Sequence, residues 1–576
     1  MRIITLHCDY IKFKPLKKAI KNPEELKDML QKEMKDPLVI LTAIEKGDDD
    51  STIKELITSV KKTAGEVKAK NIVLYPYAHL SSNLSDPTTA LEYLIEAEHT
   101  LAKEGFNVIR APFGYYKEFE LKVKGHPLSE LSKEFRKESQ DVSGVPKVIQ
   151  VKESKEEDPS KLLRELSRSK LDTSKLKDND HRILGQKLDL FSFNESAPGQ
   201  PFWHEKGHII FNELVNFSRD LQRKAGYQEI LTPQIMNNKL WKVSGHWTHY
   251  QDKMFITEYE HHSCGIKPMN CPGAMLVYRS SPRSYKNLPL RLSEYGIVHR
   301  KELSGVLAGL FRVIRITQDD AHIFCTLEQL EQEMTGLFSL VKTIYKDTFG
   351  FDYHMTLSTR PEKFLGKKED WDIAEISLER VLKKAKINYK VSPGEGAFYG
   401  PKIDLFIKDS LEREWQCATI QLDMQLPQRF EIVYNGADNK DHTPLVIHRA
   451  IFGSLERFIG VLLEHLNGAL PLWLSPVQVR VLNFTDRNTE AVEKTLDQLK
   501  EAIPLLRIEP DLRNTTVNDK VRDAEMQKVP YIIVIGDKEE EAKTLAVRER
   551  GSSKPRFGVK LQDFIKELKD KIEQRK

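Results

Sequence analysis

The chain has 576 residues, 40% of them apolar, which is enough for three or four domains with ordinary cores. Its 89 Lys and Arg against 85 Asp and Glu leave a net charge of only +4, so a surface basic throughout is excluded and any polyanion must meet a local patch. The five cysteines, Cys8, Cys264, Cys271, Cys325 and Cys417, are odd in number and irregularly spaced, which argues against a disulfide framework and for a reducing compartment. The opening MRIITLHCDY reads as a buried strand rather than a signal peptide, and no apolar run approaches the ~20 residues that cross a bilayer. A cytoplasmic chain with no membrane partner is expected.

Residues 1–145 alternate short apolar runs, at 3–6, 38–41 and 72–75, with charged stretches such as 53–68 whose apolar residues fall at helical spacing; an α/β domain is predicted. The polar stretch 152–182 holds one proline and few large apolar residues, and predicts a solvated linker over 146–185. A larger domain is expected over 186–475. It opens with a helix near 204–225, where Ile209, Ile210, Phe211, Leu214, Phe217 and Leu221 mark one face and Gly226 is placed to end it. Strand alternation without a βαβ rhythm over 288–325 favours an antiparallel sheet. Residues 476–576 predict a compact α/β module, with strands at 477–484 and 531–535 and helices at 488–502, 515–527 and 561–575.

Three stretches of the middle domain carry chemistry. Residues 226–233, GYQEILTP, read as a helix end and a strand stopping at Pro233. Over 290–325, side chains of like parity share a strand face, which groups Arg300 with Glu302, and Arg312 with Gln318, Asp320 and His322 if no bulge intervenes. The opposite parity, Val313, Arg315, Thr317 and Asp319, is no more apolar, so this strand shows no plain inside. The run 444–466 passes from strand into an amphipathic helix carrying Ile451, Leu455, Ile459 and Leu462. Arg457 lies within that helix, where an arginine taken alone reads as a snorkelling surface residue.

Together these stretches resemble the three signature motifs of class II aminoacyl-tRNA synthetases. Within that class, PGQPFWHEKG, LWKVSGHWTHYQDKMF, IKPMNCPG, TQDDAHIF, FYGPKIDL, REWQCATIQLD and VIHRAIFGSLERF are similar to threonyl-tRNA synthetases of the archaeal type, over roughly 198–460. The resemblance implies a homodimer built around Pro233 and an ATP site using Arg300, Glu302, Arg312, Gln416 and Arg457, with Mg²⁺ accompanying the nucleotide. Guanidinium groups suit phosphate oxygens and stay charged at all working pH. It also implies one zinc ion held by Cys271, His322 and His448, a ligand set that spacing alone does not reveal. Three protein ligands leave a position open, the mark of a catalytic site. Asp320 and Tyr399 match residues that meet the amine of threonine, and Gln318, Thr419 and Gln421 match others lining its pocket. The sequence departs from the family at Ala308, Ile314, Ile316 and Ala274, none of them an implied zinc ligand.

Zinc separates threonine poorly from serine, which lacks one methyl worth only ~1–3 kcal/mol, so a second, hydrolytic site is expected. LHCDYIKFK, YPYAHLSSNLSDP and RAPFGYYKEFELKVKGHPLSEL resemble the N-terminal editing domain of archaeal threonyl-tRNA synthetases, related in fold to D-aminoacyl-tRNA deacylases. That likeness implies His79, Tyr116, Lys117 and Glu130 as site residues. PDLRN, GDKE and LAVRERG resemble the anticodon-binding domain shared by several class II synthetases, and imply Asn514, Arg522, Glu539 and Arg548 as contacts to unstacked bases of tRNA(Thr). The expected fold is therefore multidomain α/β and α+β: a deacylase-like editing domain at 1–145, a linker at 146–185, a class II antiparallel-sheet catalytic domain at 186–475 and an anticodon-binding domain at 476–576. The expected activity joins L-threonine to tRNA(Thr) with ATP and hydrolyses seryl-tRNA(Thr). The alternative is a catalytically silent, synthetase-like tRNA-binding protein, which loss of the arginines or zinc ligands would favour; here all are present.

Overall fold

The structure, a computed structural model, describes residues 1–135 and 176–575 apart from positions 21, 22, 27, 82, 127 and 409–412, together with residues 160, 162 and 163. The chain divides into two compact units, Met1–Val145 and Pro146–Lys576.

Among its described residues the first unit has a single mixed sheet and two α-helices. Strands β1 (Arg2–Lys18), β2 (Lys32–Lys35), β3 (Pro37–Ala43), β4 (Asn71–Pro76) and β5 (Asn107–Arg110) run in the order β2-β1-β3-β4-β5, and β6 (Tyr115–Val123) and β7 (Glu130–Glu134) each pair with β1. The first half of β1 is buried on both faces, whereas its second half alternates Ile11, Phe13 and Pro15 inward with Lys14 and Leu16 outward. Helix α1 (Asp50–Val67) starts where Asp49 accepts from the Ser51 and Thr52 amides, and α2 (Pro87–Lys103) starts at Asp86 in the same way. Their apolar faces, including Leu56, Val60, Leu94 and Leu101, close over Ile40, Ile72 and Leu74 of the sheet.

In the second unit Asp180 caps helix α3 (His181–Lys187), whose His181 and Leu184 are buried. The stretch expected as linker thus ends in a packed helix, while its positions 146–175 lie outside the described residues apart from the three already named. Helix α4 (Glu205–Lys224) buries Ile210, Leu214 and Phe217 and ends before Gly226, which has a φ of +76°. Helix α5 (Cys271–Arg279) follows. An eight-stranded sheet comprises β8 (Gln228–Glu229), β9 (Leu290–His299), β10 (Arg315–Cys325), β11 (Tyr353–Ser358), β12 (Tyr389–Ser392), β13 (Lys402–Lys408), β14 (Glu414–Asp423) and β15 (Leu445–Ser454). Their order is β8-β9-β10-β15-β14-β13-β11-β12; only the outer pairs β8·β9 and β11·β12 are parallel. Helix α6 (Leu455–His465) leaves β15 directly and is buried almost throughout.

The parity argument over 290–325 holds only inside the strands. β9 stops at His299 and β10 begins at Arg315, so Arg300, Glu302 and Arg312 stand on the connection and share no strand face with Gln318, Asp320 and His322. The polar character of the opposite parity also has a cause. Between Gln318 and Asp320 the pairing partner on β15 jumps from Ser454 to Ala450, a bulge that includes Gly453 at a φ of +73°. The bulge leaves amides without ladder partners, and the buried Asp319 carboxylate accepts from Ile451 at 3.1 Å and Gly453 at 3.0 Å. Burial raises the Asp319 pKa to about 7.

The carboxyl-terminal module has β16 (Val479–Asn483), β17 (Ile508–Asp511), β18 (Tyr531–Ile535), β19 (Thr544–Glu549) and β20 (Arg556–Lys560) in the order β17-β16-β18-β19-β20. Helices α7 (Thr489–Ala502), α8 (Val517–Met526) and α9 (Leu561–Glu573) accompany them. Among the described residues no helix is long and apolar enough to cross a membrane.

Two glycines in helices test the packing. A Cβ at Gly207 of α4 would sit 1.9 Å from the Leu190 carbonyl oxygen, whereas one at Gly336, in the helix Leu330–Lys342, meets nothing within 4 Å. Gly207→Ala is expected to destabilise by ~1–3 kcal/mol through overpacking, and Gly336→Ala to stabilise by ~0.5–1 kcal/mol through helix propensity. Urea unfolding of the two variants beside the parent checks the opposite signs.

Candidate active site and metal centre

The central strands bring the site together by register. His322 on β10 lies directly opposite His448 on β15, and Gln421 on β14 lies opposite His448 from the other side. Cys271 arrives from elsewhere, as the first residue of α5 with Pro272 behind it in the first turn. One ligand atom from each of Cys271, His322 and His448 lies within 4.8 Å of the others, and all three residues are buried.

Burial dominates the electrostatics of this cluster. Desolvation holds the Cys271 thiol well above its ordinary pKa, with Asp320 adding to it, and holds His322 well below, with His448 next in effect. Both groups are thus neutral as they stand. Nε2 of His322 is buried without a hydrogen-bond partner, a cost that a bound ion removes. His448 Nε2 meets Asp423 Oδ2 at 2.8 Å, which leaves Nδ1 as the nitrogen that could take an ion. Asp423 is itself held by the Gln425 and Leu426 amides at 2.7 and 2.9 Å. One sulfur and two imidazole nitrogens, with a carboxylate behind one ring, form a donor set suited to zinc with a position left open.

These three residues face a cavity of about 440 Å³ that Arg300, Gln318, Asp320, Tyr399, Gln416, Thr419, Gln421 and Arg457 also line. Asp320 accepts from Asn270 Nδ2 at 3.2 Å, and the Tyr399 hydroxyl donates to Gln421 Oε1 at 2.5 Å. Gln416 and Thr419 both donate to Asp404 Oδ1, at 2.6 and 2.9 Å. Arg457 is half-buried rather than a surface residue: Nε donates to the Phe311 carbonyl and Nη1 to the Gln416 carbonyl, both at 2.9 Å. Arg300 Nε donates to the Pro268 carbonyl at 3.2 Å. Glu302 and Arg312 are not part of the lining; they pair with each other at 2.9 Å. Of the departing positions, Ile316 lines the cavity and Ala274 is buried in α5.

Sequence reasoning passed over Asp423, Asp404 and Asn270. Asp423 shares the parity of Thr419 and Gln421 on β14, so the same alternation could have found it. Asn270 is fully buried next to Cys271, and nothing in its spacing points to that role.

In the first unit, His79, Tyr116 and Lys117 line one cavity of about 530 Å³ whose apolar wall includes Tyr75 and Phe113. Glu130 is not part of it; it is exposed on β7, opposite Leu6 of β1. Lys117 Nζ donates to the Pro112 and Tyr115 carbonyls at 2.9 and 3.1 Å and stands 5.2 Å from the centre of the Tyr75 ring. Burial lowers its pKa from 10.5 to about 8. Between those two values the unfolded chain binds more protons than the folded one, so stability rises as pH climbs from about 8 to 10.5. Lys117→Met is expected to abolish that rise, as urea unfolding of the full chain at pH 8 and pH 10 would read.

In the carboxyl-terminal module Asn514 and Arg522 are exposed. Glu539 accepts from the Gly536 amide at 3.1 Å and so caps a short helix, and Arg548 pairs with Glu525 at 3.3 Å.

Comparison with known proteins matches the chain segment by segment. Residues 1–135 match the Archaea-specific editing domain of threonyl-tRNA synthetase. Residues 255–466 match the tRNA synthetase class II core domain (G, H, P, S and T), and residues 478–571 an anticodon binding domain. The threonine–tRNA ligase of Caldanaerobacter subterraneus is 52% identical over 398 residues, 69% of this chain and 61% of that protein. That of Desulforamulus reducens is 51% identical over 397 residues, 69% of this chain and 62% of that protein. The chain thus spans about 61% of the length of such curated relatives. A crystal structure titled as the RNA binding domain of threonyl-tRNA synthetase from Cryptosporidium parvum is 41% identical, with a TM-score of 0.66, and covers 68% of this chain and 98% of its own. The chain belongs to the threonyl-tRNA synthetase family of class II aminoacyl-tRNA synthetases.

Proposed function

We propose that the chain is a zinc-dependent threonine–tRNA ligase that also hydrolyses seryl-tRNA(Thr) in its first unit. The observation that carries the reading is a single cavity in which Cys271, His322 and His448 converge beside Asp320, Tyr399 and Gln421 and facing Arg300 and Arg457. Zinc held by those three ligands would supply a Lewis-acid position for the amine and hydroxyl of one small amino acid.

The chain's own residues do the rest. Asp320 offers a carboxylate to the substrate amine, and Asn270 keeps it oriented. Tyr399 and Gln421, locked to each other, form a rigid wall. Threonine's carboxylate attacks the α-phosphate of ATP, which arrives with its Mg²⁺, and pyrophosphate leaves. Arg300 neutralises the charge that develops. Arg457, already spending Nε and Nη1 on backbone carbonyls, presents Nη2 to the phosphates. Glu302 and Arg312 would exchange their mutual ion pair for the adenine amine and a phosphate oxygen. The acyl group then passes from AMP to the terminal ribose hydroxyl of tRNA, with no protein nucleophile.

Specificity follows from the same groups. A site built around a substrate hydroxyl rejects an analogue lacking it by ~10⁴–10⁵, so valine is excluded, whereas loss of one methyl discriminates serine only ~10–200-fold. The cavity at His79, Tyr116 and Lys117 supports removal of the serine that passes. Exposed Leu231 (83%) and Ile235 (55%) flanking Pro233 support a homodimer through this stretch. Asn514, Arg522, Glu539 and Arg548 of the carboxyl-terminal module would meet the anticodon, and the cytoplasm suits five buried thiols with no disulfide among them.

ATP–pyrophosphate exchange tests the reading. Exchange is expected with threonine, at a rate lower by ~10–200-fold with serine and by ~10⁴ or more with valine; absence with threonine overturns it. Arg300→Ala should cut the exchange rate by ~10²–10³. Asp423→Asn should weaken zinc binding ~10–100-fold, measured by competition with a chelator.

A further inference from the structure

We infer that His181 is a positioning residue that holds the segment 309–312 so that Arg457 is aimed at ATP. His181 is fully buried at the start of α3, distant in sequence from every group assigned to the reaction. Its two ring nitrogens are committed in opposite senses. The Leu310 amide donates to Nε2 at 3.0 Å, so Nε2 carries no proton and Nδ1–H donates to Glu464 Oε1 at 2.8 Å. The His181 amide adds a second bond to the same oxygen at 3.1 Å, and Arg413 donates to Glu464 Oε2 at 2.7 Å.

This arrangement excludes a plainer use of the cluster. Asp180, His181 and Glu464 lie close enough to share a metal ion, but both nitrogens of His181 are spent and Asp180 is held by Arg182 through two bonds, at 2.9 and 2.8 Å. No nitrogen of His181 is left over to coordinate an ion.

The geometry points instead to the ATP arginine. Glu464 stands two helical turns beyond Arg457 on α6, hence on the same side of that helix. The segment gripped by His181 ends in Phe311, whose ring packs on the imidazole with centroids 4.1 Å apart and whose carbonyl receives Arg457 Nε. Gly309, at a φ of +54°, lets the backbone reach the ring: a Cβ there would fall 2.3 Å from His181 Nε2. One neutral imidazole therefore ties the 309–312 segment to the helix that bears Arg457, and Arg312 is the next residue along. Without that tie the Phe311 carbonyl can move, and the guanidinium loses one of its two orienting acceptors.

The inference rests on the chain being an ATP-using ligase, and the test separates the two. Exchange is measured on the full chain as a function of ATP and of threonine for the parent, His181→Asn, His181→Leu and Gly309→Ala. Asparagine keeps a donor for Glu464 but offers Leu310 no acceptor at the Nε2 position; the glycine variant disturbs the same contact from the other side. All three are expected to raise KM for ATP about tenfold or more and lower kcat, with KM for threonine within twofold of the parent. Glu464→Leu should produce the same ATP-specific loss, and Glu464→Gln, which keeps an oxygen for Nδ1–H, a smaller one. Unchanged KM for ATP in the folded variants, or equal rises for both substrates, overturns the positioning role. If the His181 variants do not fold, Gly309→Ala and Glu464→Gln decide the matter by the same readout. A parent without threonine-dependent exchange sinks the ligase reading itself.

Discussion

The register between two neighbouring strands is the constraint on which the rest depends. His322 faces His448 across β10 and β15, and β14 sets Gln421 against His448. A slip of one residue on β15 would turn His448 away and put Arg449 in its place, because strand side chains alternate with period two. The bulge beyond Ala450 lets the ladder continue into α6 while the register around the histidines stays true. Asp319 fixes that bulge by accepting its stray amides, and Glu456 accepts the Thr317 amide at 3.1 and 2.9 Å from its two oxygens.

A second feature is the density of buried polar groups behind the site. Lys267 and Glu294 form a fully buried ion pair at 2.8 Å, with Thr232 donating to the same carboxylate, directly before Pro233. Glu294 lies opposite Asp320 across the sheet. Such pairs contribute little net stability against an apolar alternative, yet breaking one leaves an uncompensated charge, so they hold geometry rather than add strength. Among the described residues a few buried polar atoms lack a partner, and one of them, Nε2 of His322, belongs to the Cys271, His322 and His448 cluster.

The fold was legible where local pattern sufficed. The apolar face from Ile210 to Phe217 placed α4 to within a residue at each end, and the run 531–535 coincided with β18. Strand parity placed Gln318, Asp320 and His322 together, but it was carried too far: Arg300, Glu302 and Arg312 stand outside the strands, where alternation has no force. Arg457 read as a surface side chain because helical spacing cannot show that two carbonyls from distant segments wait for its guanidinium. The three candidate ligand positions were suggested by likeness to a family, since Cys271 and His448 lie 177 positions apart in the sequence and only the folded chain brings helix α5 against the sheet. Family likeness also marked Glu130 and Glu539; the first is outside the lining of the His79 cavity and the second caps a short helix. His181 gave no signal at all, because its role depends on what a loop more than a hundred residues later does with one amide.

The central claim is that one zinc ion sits among Cys271, His322 and His448. X-ray absorption at the zinc edge of the purified protein tests it most directly. The account predicts one sulfur at ~2.3 Å and two imidazole nitrogens at ~2.0–2.1 Å, with lighter atoms completing the shell and changing when threonine is added. A shell with several sulfurs, a shell with none, or a protein without stoichiometric zinc would contradict it.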